Sequence, residues 1–282
     1  MLHLLRSSAL LFAAITLFSS CTNSTEFGIG LQLYSVRDDM KKDPVATIEK
    51  VGEMGYDFVE AAGYSDGKFY GMDPAKFKEL IEENNMLFRG SHTGQAIPDS
   101  GSWQTLMPWW DECIAAHKEA GVEYIVQPSM GNSAYTSLAG LKEYCDYFNA
   151  VGEKCNAAGI RFGYHNHDGE FSGLEGKIIY DYMLQHTDPD KVMFQLDVYW
   201  AYEGGVDPIE YFKKYPDRFG SIHIKDNKEL GESGEIDFTR VLDAARETGA
   251  SYYVVEVEKY NFEPLVSVEK SLDYLREIKF AQ

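Results

Sequence analysis

Residues 137–168 read SLAGLKEYCDYFNAVGEKCNAAGIRFGYHNHD. Residues 137–158 carry apolar side chains at helical spacing, and Gly159 stands where a helix stops. Residues 160–165 follow as a short apolar run. That run closes on two histidines, His165 and His167. Side chains two apart on a strand point the same way. A helix, a glycine stop and a strand thus aim two imidazoles at one place.

The same rhythm runs through the chain. Strand-like runs occupy residues 27–36, 56–63, 86–92, 123–128, 160–165, 192–198, 219–226 and 252–258. Helical spacing follows each, over residues 43–54, 73–84, 103–120, 137–158, 180–186, 208–214, 237–247 and 267–278. Pro44 suits a first helical turn and Asp73 a cap. Eight βα units in a chain of this length predict a single α/β domain, a (β/α)8 TIM barrel over residues 27–282. The competing doubly wound sheet lacks support, because no GxGxxG follows the first strand. No Pro- or Gly-rich linker divides the chain.

Net charge is −19, from 26 Lys+Arg and 45 Asp+Glu, with no basic stripe. That argues against nucleic acid as a partner. The N-terminus, MLHLLRSSALLFAAITLFSSC, has one early cation, Arg6, and an apolar stretch too short to span a bilayer. Small residues Ser19 and Ser20 precede Cys21. Residues 1–20 read as a signal peptide. The pattern resembles a bacterial lipoprotein signal, which implies lipidation at Cys21 and a tether over residues 21–26. The expectation is an exported protein, periplasmic or at the cell surface, touching the membrane only through a lipid anchor. Ordinary cleavage near residue 20 is the alternative. Cys113, Cys145 and Cys155 show no CxxC spacing and read as buried apolar residues.

In a (β/α)8 barrel the active site lies at the C-terminal ends of the strands. Each expected strand ends on at least one polar group: Gln32, Glu60, His92, Gln127, then His165 with His167, Asp197, His223 with Lys225, and Glu256 with Glu258. Four of the seven histidines fall at these ends. Alternation places His223 and Lys225 opposite Ile222 and Ile224, Asp197 and Gln195 opposite Phe194 and Leu196, and Glu256 opposite Val255. Buried carboxylates need a partner or a metal. His165, Asp197, His223 and Glu256 offer a mixed N and O donor set suited to one divalent metal, Mn, Co, Zn or Fe. A metal-free acid/base site and an inert polar plug stay open as alternatives.

The stretches IGLQLYSVR, GYDFVEAAGY, RFGYHNHDGEF, FQLDVYWA, SIHIKD and YYVVEVE together resemble the sugar phosphate isomerase/epimerase family. That family lies in the xylose isomerase-like TIM barrel superfamily, with endonuclease IV, ketose 3-epimerases and inosose dehydratase. The resemblance covers roughly residues 27–280. It implies a divalent metal held from strands five to eight, here by His165, Asp197, His223 and Glu256. His165 stands where the epimerases have a glutamate that pairs with the last one in acid/base work. Glu256 is thus retained alone, and His167, His92, Glu60 or Lys225 is left to serve as the second acid/base group. The YHNHD form resembles the inosose dehydratase-like and 3-keto-glycoside branches.

The resemblance implies proton abstraction next to a carbonyl, giving a metal-held enediolate. Returning the proton elsewhere gives isomerisation or epimerisation of a free sugar. Expelling a group from the β carbon gives a lyase or hydrolase acting on a 3-keto-glycoside or keto-inositol. A non-catalytic sugar-binding lipoprotein is a third reading. The expected partner is a small carbohydrate. Trp200, close behind Asp197, is the best candidate for stacking on a sugar, with Gln32 and Gln127 as polar contacts. Phosphate is less expected, since Arg37 and Arg89 are the only arginines to nominate.

Overall fold

A computed structural model of the chain describes residues 28–280. The expected signal peptide, Cys21 and its tether lie outside the described residues. Eight parallel strands close into one barrel in sequential order. They are β1 Ile29–Gln32, β2 Phe58–Ala61, β3 Leu87–His92, β4 Tyr124–Gln127, β5 Arg161–His165, β6 Val192–Asp197, β7 Phe219–Lys225 and β8 Tyr252–Glu256. The main helices are α1 Pro44–Met54, α2 Pro74–Glu83, α3 Met107–Glu119, α4 Leu138–Ala158, α5 Ile179–His186, α6 Pro208–Lys214, α7 Phe238–Arg246 and α8 Pro264–Glu277. The single (β/α)8 barrel expected from the sequence is the observed fold.

Local chemistry sets the helix ends. Ser137 Oγ accepts from Gly140 N at 3.1 Å to open α4. Gly159 closes it in left-handed backbone at φ 82°, a conformation that costs glycine nothing. Two expectations were too long or too short. β1 stops at Gln32, whose side chain accepts from Tyr34 N at 3.0 Å and turns residues Leu33–Val36 into a 3-10 helix. The last helix begins at Pro264, three residues before the expected residue 267, with the proline in its first turn.

The barrel interior has an apolar floor and a polar mouth. Phe58, Tyr124, Val126, Met193, Tyr252 and Val254 form an apolar cluster separate from the main core. Tyr124 and Tyr252 lie with ring centroids 4.3 Å apart. Neighbouring strands make room for these rings with glycine: a Cβ on Gly30 would sit 2.2 Å from Phe58, and one on Gly90 2.1 Å from Tyr124. The outward residues Phe194, Leu196, Ile222, Ile224 and Val255 join the core under the helices, as alternation requires. The extra elements all lie between a strand and its following helix: short helices at Arg37–Lys42, Ser133–Thr136 and Val198–Glu203, and hairpins at Tyr64–Phe69 and Gly173–Ile178. Among the described residues, elaboration is therefore confined to the C-terminal rim, where such barrels carry their sites.

Candidate active site and metal centre

Four strand ends converge at the mouth. Donor atoms of His165, Asp197, His223 and Glu256 lie within 4.8 Å of one another, and all four residues are buried. Asp197 Oδ2 is 4.0 Å from His165 Nε2 and 3.9 Å from His223 Nδ1. His223 Nδ1 is 3.4 Å from Glu256 Oε2. Asp197 is also the N-cap of helix Val198–Glu203: its Oδ1 accepts from Trp200 N at 2.8 Å. Its Oδ2 is buried with no hydrogen-bond partner among the described residues.

A second polar layer lies behind these four. Glu60 Oε1 accepts from Gln32 Nε2 at 2.6 Å and from His223 Nε2 at 2.7 Å, and stands 2.9 Å from His92 Nε2. Glu60 Oε2 accepts from Gln195 Nε2 at 2.8 Å. Gln195 Oε1 in turn faces His92 Nε2 at 2.6 Å and His165 Nδ1 at 3.2 Å. His92 and His223 stack, with centroids 4.9 Å apart and planes 11° apart.

Electrostatics follow from this packing. Burial would raise the Glu60 carboxyl, but His92 and His223 outweigh it and hold it well below the usual range. Burial lowers His165 well below an ordinary imidazole, and the neighbouring histidines add to that, so it stays neutral. Burial also lowers His223, yet Glu60 and Glu256 prevail and lift it to about 10. Burial raises Asp197. Glu256 is held low despite burial, chiefly by Lys225 and then His223. A proton thus sits on His223 among three carboxylates, where a divalent cation could replace it.

The rim groups flank this centre. Lys225 Nζ lies 3.5 Å from Glu256 and 3.4 Å from Glu258, makes no hydrogen bond among the described residues, and sits 5.6 Å from the Trp200 ring centroid. The His167 ring lies 5.0 Å from His165 and 5.6 Å from Trp200. The loop carrying His167 is fixed by Glu170, which accepts from His167 N at 2.9 Å, Tyr164 Oη at 2.5 Å and Tyr135 Oη at 2.6 Å. Asn166 Oδ1 accepts from Asp197 N at 3.1 Å and ties the ends of β5 and β6 together.

Several expectations need correction. Glu60 is no acid/base group for a substrate: it is fully buried and four donors occupy its oxygens. Gln32 is likewise sealed beneath the centre, bound to Glu60. His92 spends its Nε2 on Gln195 and Glu60 rather than on the mouth. Gln127 turns away from the barrel axis and donates to Gln95 O and Ser129 O at 3.1 and 2.8 Å, pinning two rim loops. Arg89 pairs with Glu123 near the start of β3, at the opposite end of the barrel. Arg37 donates to Tyr34 O and to the Tyr260 hydroxyl, with Glu258 O at 3.4 Å. Sequence reading put Gln195 on the face of Asp197 without giving it a role, and passed over Asn166 and Glu170. Only Gln195 had a usable signal, its place two residues before Asp197 on the same face.

The donors fit a divalent metal on structural grounds. A neutral His165, a second histidine and two carboxylates converge from four strands, and Asp197 Oδ2 has no hydrogen-bond partner among the described residues.

The chain is similar to one family and to four known proteins. The family model for the xylose isomerase-like TIM barrel matches residues 48–278. Two solved structures from Parabacteroides distasonis, each called a sugar phosphate isomerase/epimerase, share the fold. One is 34% identical with a TM-score of 0.84, covering 90% of this chain and 99% of its own. The other is 32% identical with a TM-score of 0.82, covering 96% and 100%. Inosose dehydratase of Salmonella agona (strain SL483) is 25% identical over 259 residues, 77% of this chain and 84% of its own. The chain matches 50% of the length of inosose dehydratase from Lacticaseibacillus casei.

Proposed function

This chain belongs to the xylose isomerase-like TIM barrel family and is an enzyme, and we propose that it is a carbohydrate lyase that removes water or an alcohol from a keto-sugar or keto-cyclitol. One observation carries the choice among family chemistries. The candidate acid/base groups differ in kind: Glu256 with Lys225 at the ends of β8 and β7, and His167 beside His165 at the end of β5. Two-base epimerisation removes a proton from one face of a carbon and delivers another proton to the opposite face. Elimination needs a base for the C–H and a separate acid for the departing oxygen, and an unlike pair suits it.

His165, Asp197, His223 and Glu256 would hold a divalent metal, which when bound supplies Lewis-acid polarisation of the substrate carbonyl. His167 takes the proton from the carbon beside that carbonyl. The electron pair left behind forms the new carbon–carbon double bond as the oxygen on the β carbon leaves. Lys225, whose protons are not spent on hydrogen bonds among the described residues, gives one to that oxygen. Trp200, between His167 and Lys225, presents a face for the sugar. The inosose dehydratases among the relatives support this reading.

Isomerisation or epimerisation is the second reading, favoured by the two relatives from Parabacteroides distasonis. NMR in heavy water separates the two. Incubation with keto-inositols, 3-keto-glucosides and free ketoses should release water or alcohol and an unsaturated ketone. Deuterium at the carbon beside the carbonyl, with no group released, would reject the lyase reading in favour of the second.

We also propose that the protein is exported and lipid-anchored at Cys21, on the strength of its leader pattern. Cys21→Ser should move it from the membrane to the soluble fraction; an unchanged distribution rejects the anchor.

A further inference from the structure

We infer that Glu60 and Gln195 decide which ring nitrogen each ligand histidine offers to the four-donor centre: His165 through Nε2 and His223 through Nδ1. The inference rests on the reading of that centre as a divalent-cation site. Both residues are fully buried, so they act as positioning residues and never meet a substrate.

An ionised carboxylate only accepts. Glu60 Oε2 lies 2.8 Å from one end of the Gln195 amide, so that end is the NH2, which also donates to Ser221 Oγ at 2.9 Å. The Gln195 oxygen is thereby turned toward His92 Nε2 and His165 Nδ1. Each of those nitrogens must carry a hydrogen. His165 Nε2 is left bare, on the side of Asp197 Oδ2 at 4.0 Å. The other Glu60 oxygen takes a hydrogen from His223 Nε2 at 2.7 Å. That leaves His223 Nδ1 to face Asp197 and Glu256 at 3.9 and 3.4 Å. Histidine ligands are commonly oriented in this way by an acceptor on the far nitrogen. Here one buried glutamate orients two of them, one directly and one through an amide.

Glu60→Gln exposes the dependence. If the new amide nitrogen faces Gln195, two NH2 groups meet, and Gln195 must turn over. His165 Nδ1 then faces a donor and its hydrogen moves to Nε2, the ligating atom. If the new amide nitrogen instead faces His223, that ring must bare Nε2 and carry its hydrogen on Nδ1. Either orientation protonates one ligating nitrogen, although the substituted residue ligates nothing.

Zinc is a suitable probe, being diamagnetic and without redox chemistry. Histidine-labelled nitrogen NMR of the zinc-loaded native protein should show His165 bound through Nε2 and His223 through Nδ1. Binding through the other nitrogen of either ring overturns the inference, and this reading needs no variant to fold. Zinc affinity of Glu60→Gln, by chelator competition, should fall at least tenfold, with one ring switched and the circular-dichroism spectrum kept. Native ring states and native affinity in that variant overturn it. If the native protein takes up no zinc, manganese or cobalt, the metal reading fails on its own. The metal-free protein then still decides the His165 arm: a hydrogen on Nδ1 supports it and a hydrogen on Nε2 overturns it.

Discussion

Asp197 does two jobs with two oxygens: Oδ1 caps a helix, and Oδ2, without a hydrogen-bond partner among the described residues, lies in the donor cluster. Asp197→Asn separates them. The amide oxygen still caps Trp200 N, so stability should change by about 1 kcal/mol or less. The loss of the ligand charge should weaken divalent-cation affinity at least 100-fold and abolish turnover, as titration calorimetry and a thermal melt would record. His117 tests the sign of a buried histidine elsewhere. Burial lowers it to about 4, its Nδ1 donates to Cys113 O at 2.7 Å, and its Nε2 has no hydrogen-bond partner among the described residues. The unfolded chain binds that proton more readily, so this contribution is whole above pH 6.5 and is lost as pH falls through 6.5 toward 4, by roughly 3 kcal/mol. His117→Gln, which cannot titrate, should lose about that much less stability than the native protein between pH 7 and 4 in urea unfolding. An equal loss in both removes His117 from the acid sensitivity. At this scale the sequence betrays residue type and face but not saturation. Glu60 and Asp197 look alike as carboxylates near strand ends. Only the donors brought by β1, β3, β6 and β7 show that Glu60 is filled while Asp197 is open.

The elements were the most legible level, because period-two runs, helical spacing and glycine stops are local signals. Gly159 and Ser137 mark the ends of α4 in the sequence as in the structure. What the sequence could not show was competition at a boundary. Apolar continuity favours a longer β1, yet the Gln32 side chain captures Tyr34 N and ends the strand. Nor could it show why glycines recur inside strands. Gly90 has its Cα against the Tyr124 ring, and a Cβ there would come within 2.1 Å of it. Tyr124 is fully buried in the barrel floor and cannot retreat freely. Gly90→Ala should therefore destabilise by about 1–3 kcal/mol by overpacking. Combined with Tyr124→Leu, much of that penalty should vanish, a coupling that a double-mutant cycle in urea would measure. Additive effects would mean that the ring does not set the glycine.

For the whole molecule, the placement of the site makes stability and metal binding one question. The four donors come from β5, β6, β7 and β8, half of the closed barrel. Without a cation, buried carboxylates face one another across His223 and Lys225. A cation that binds only the folded barrel stabilises it by mass action, about 4 kcal/mol at a free concentration 1,000 times Kd. For a chain of this size that is roughly 8–16 °C in Tm. Manganese, cobalt or zinc should raise the melting temperature and a chelator should reverse it. The net charge of −19 supplies a competing explanation, because an acidic surface gathers divalent cations without any built site. Asp197→Asn distinguishes the two. It changes one buried oxygen and leaves the surface as it was. A shift that disappears in this variant belongs to the centre at the barrel mouth. A shift that survives undiminished belongs to the surface, and the four converging residues would then be a polar plug.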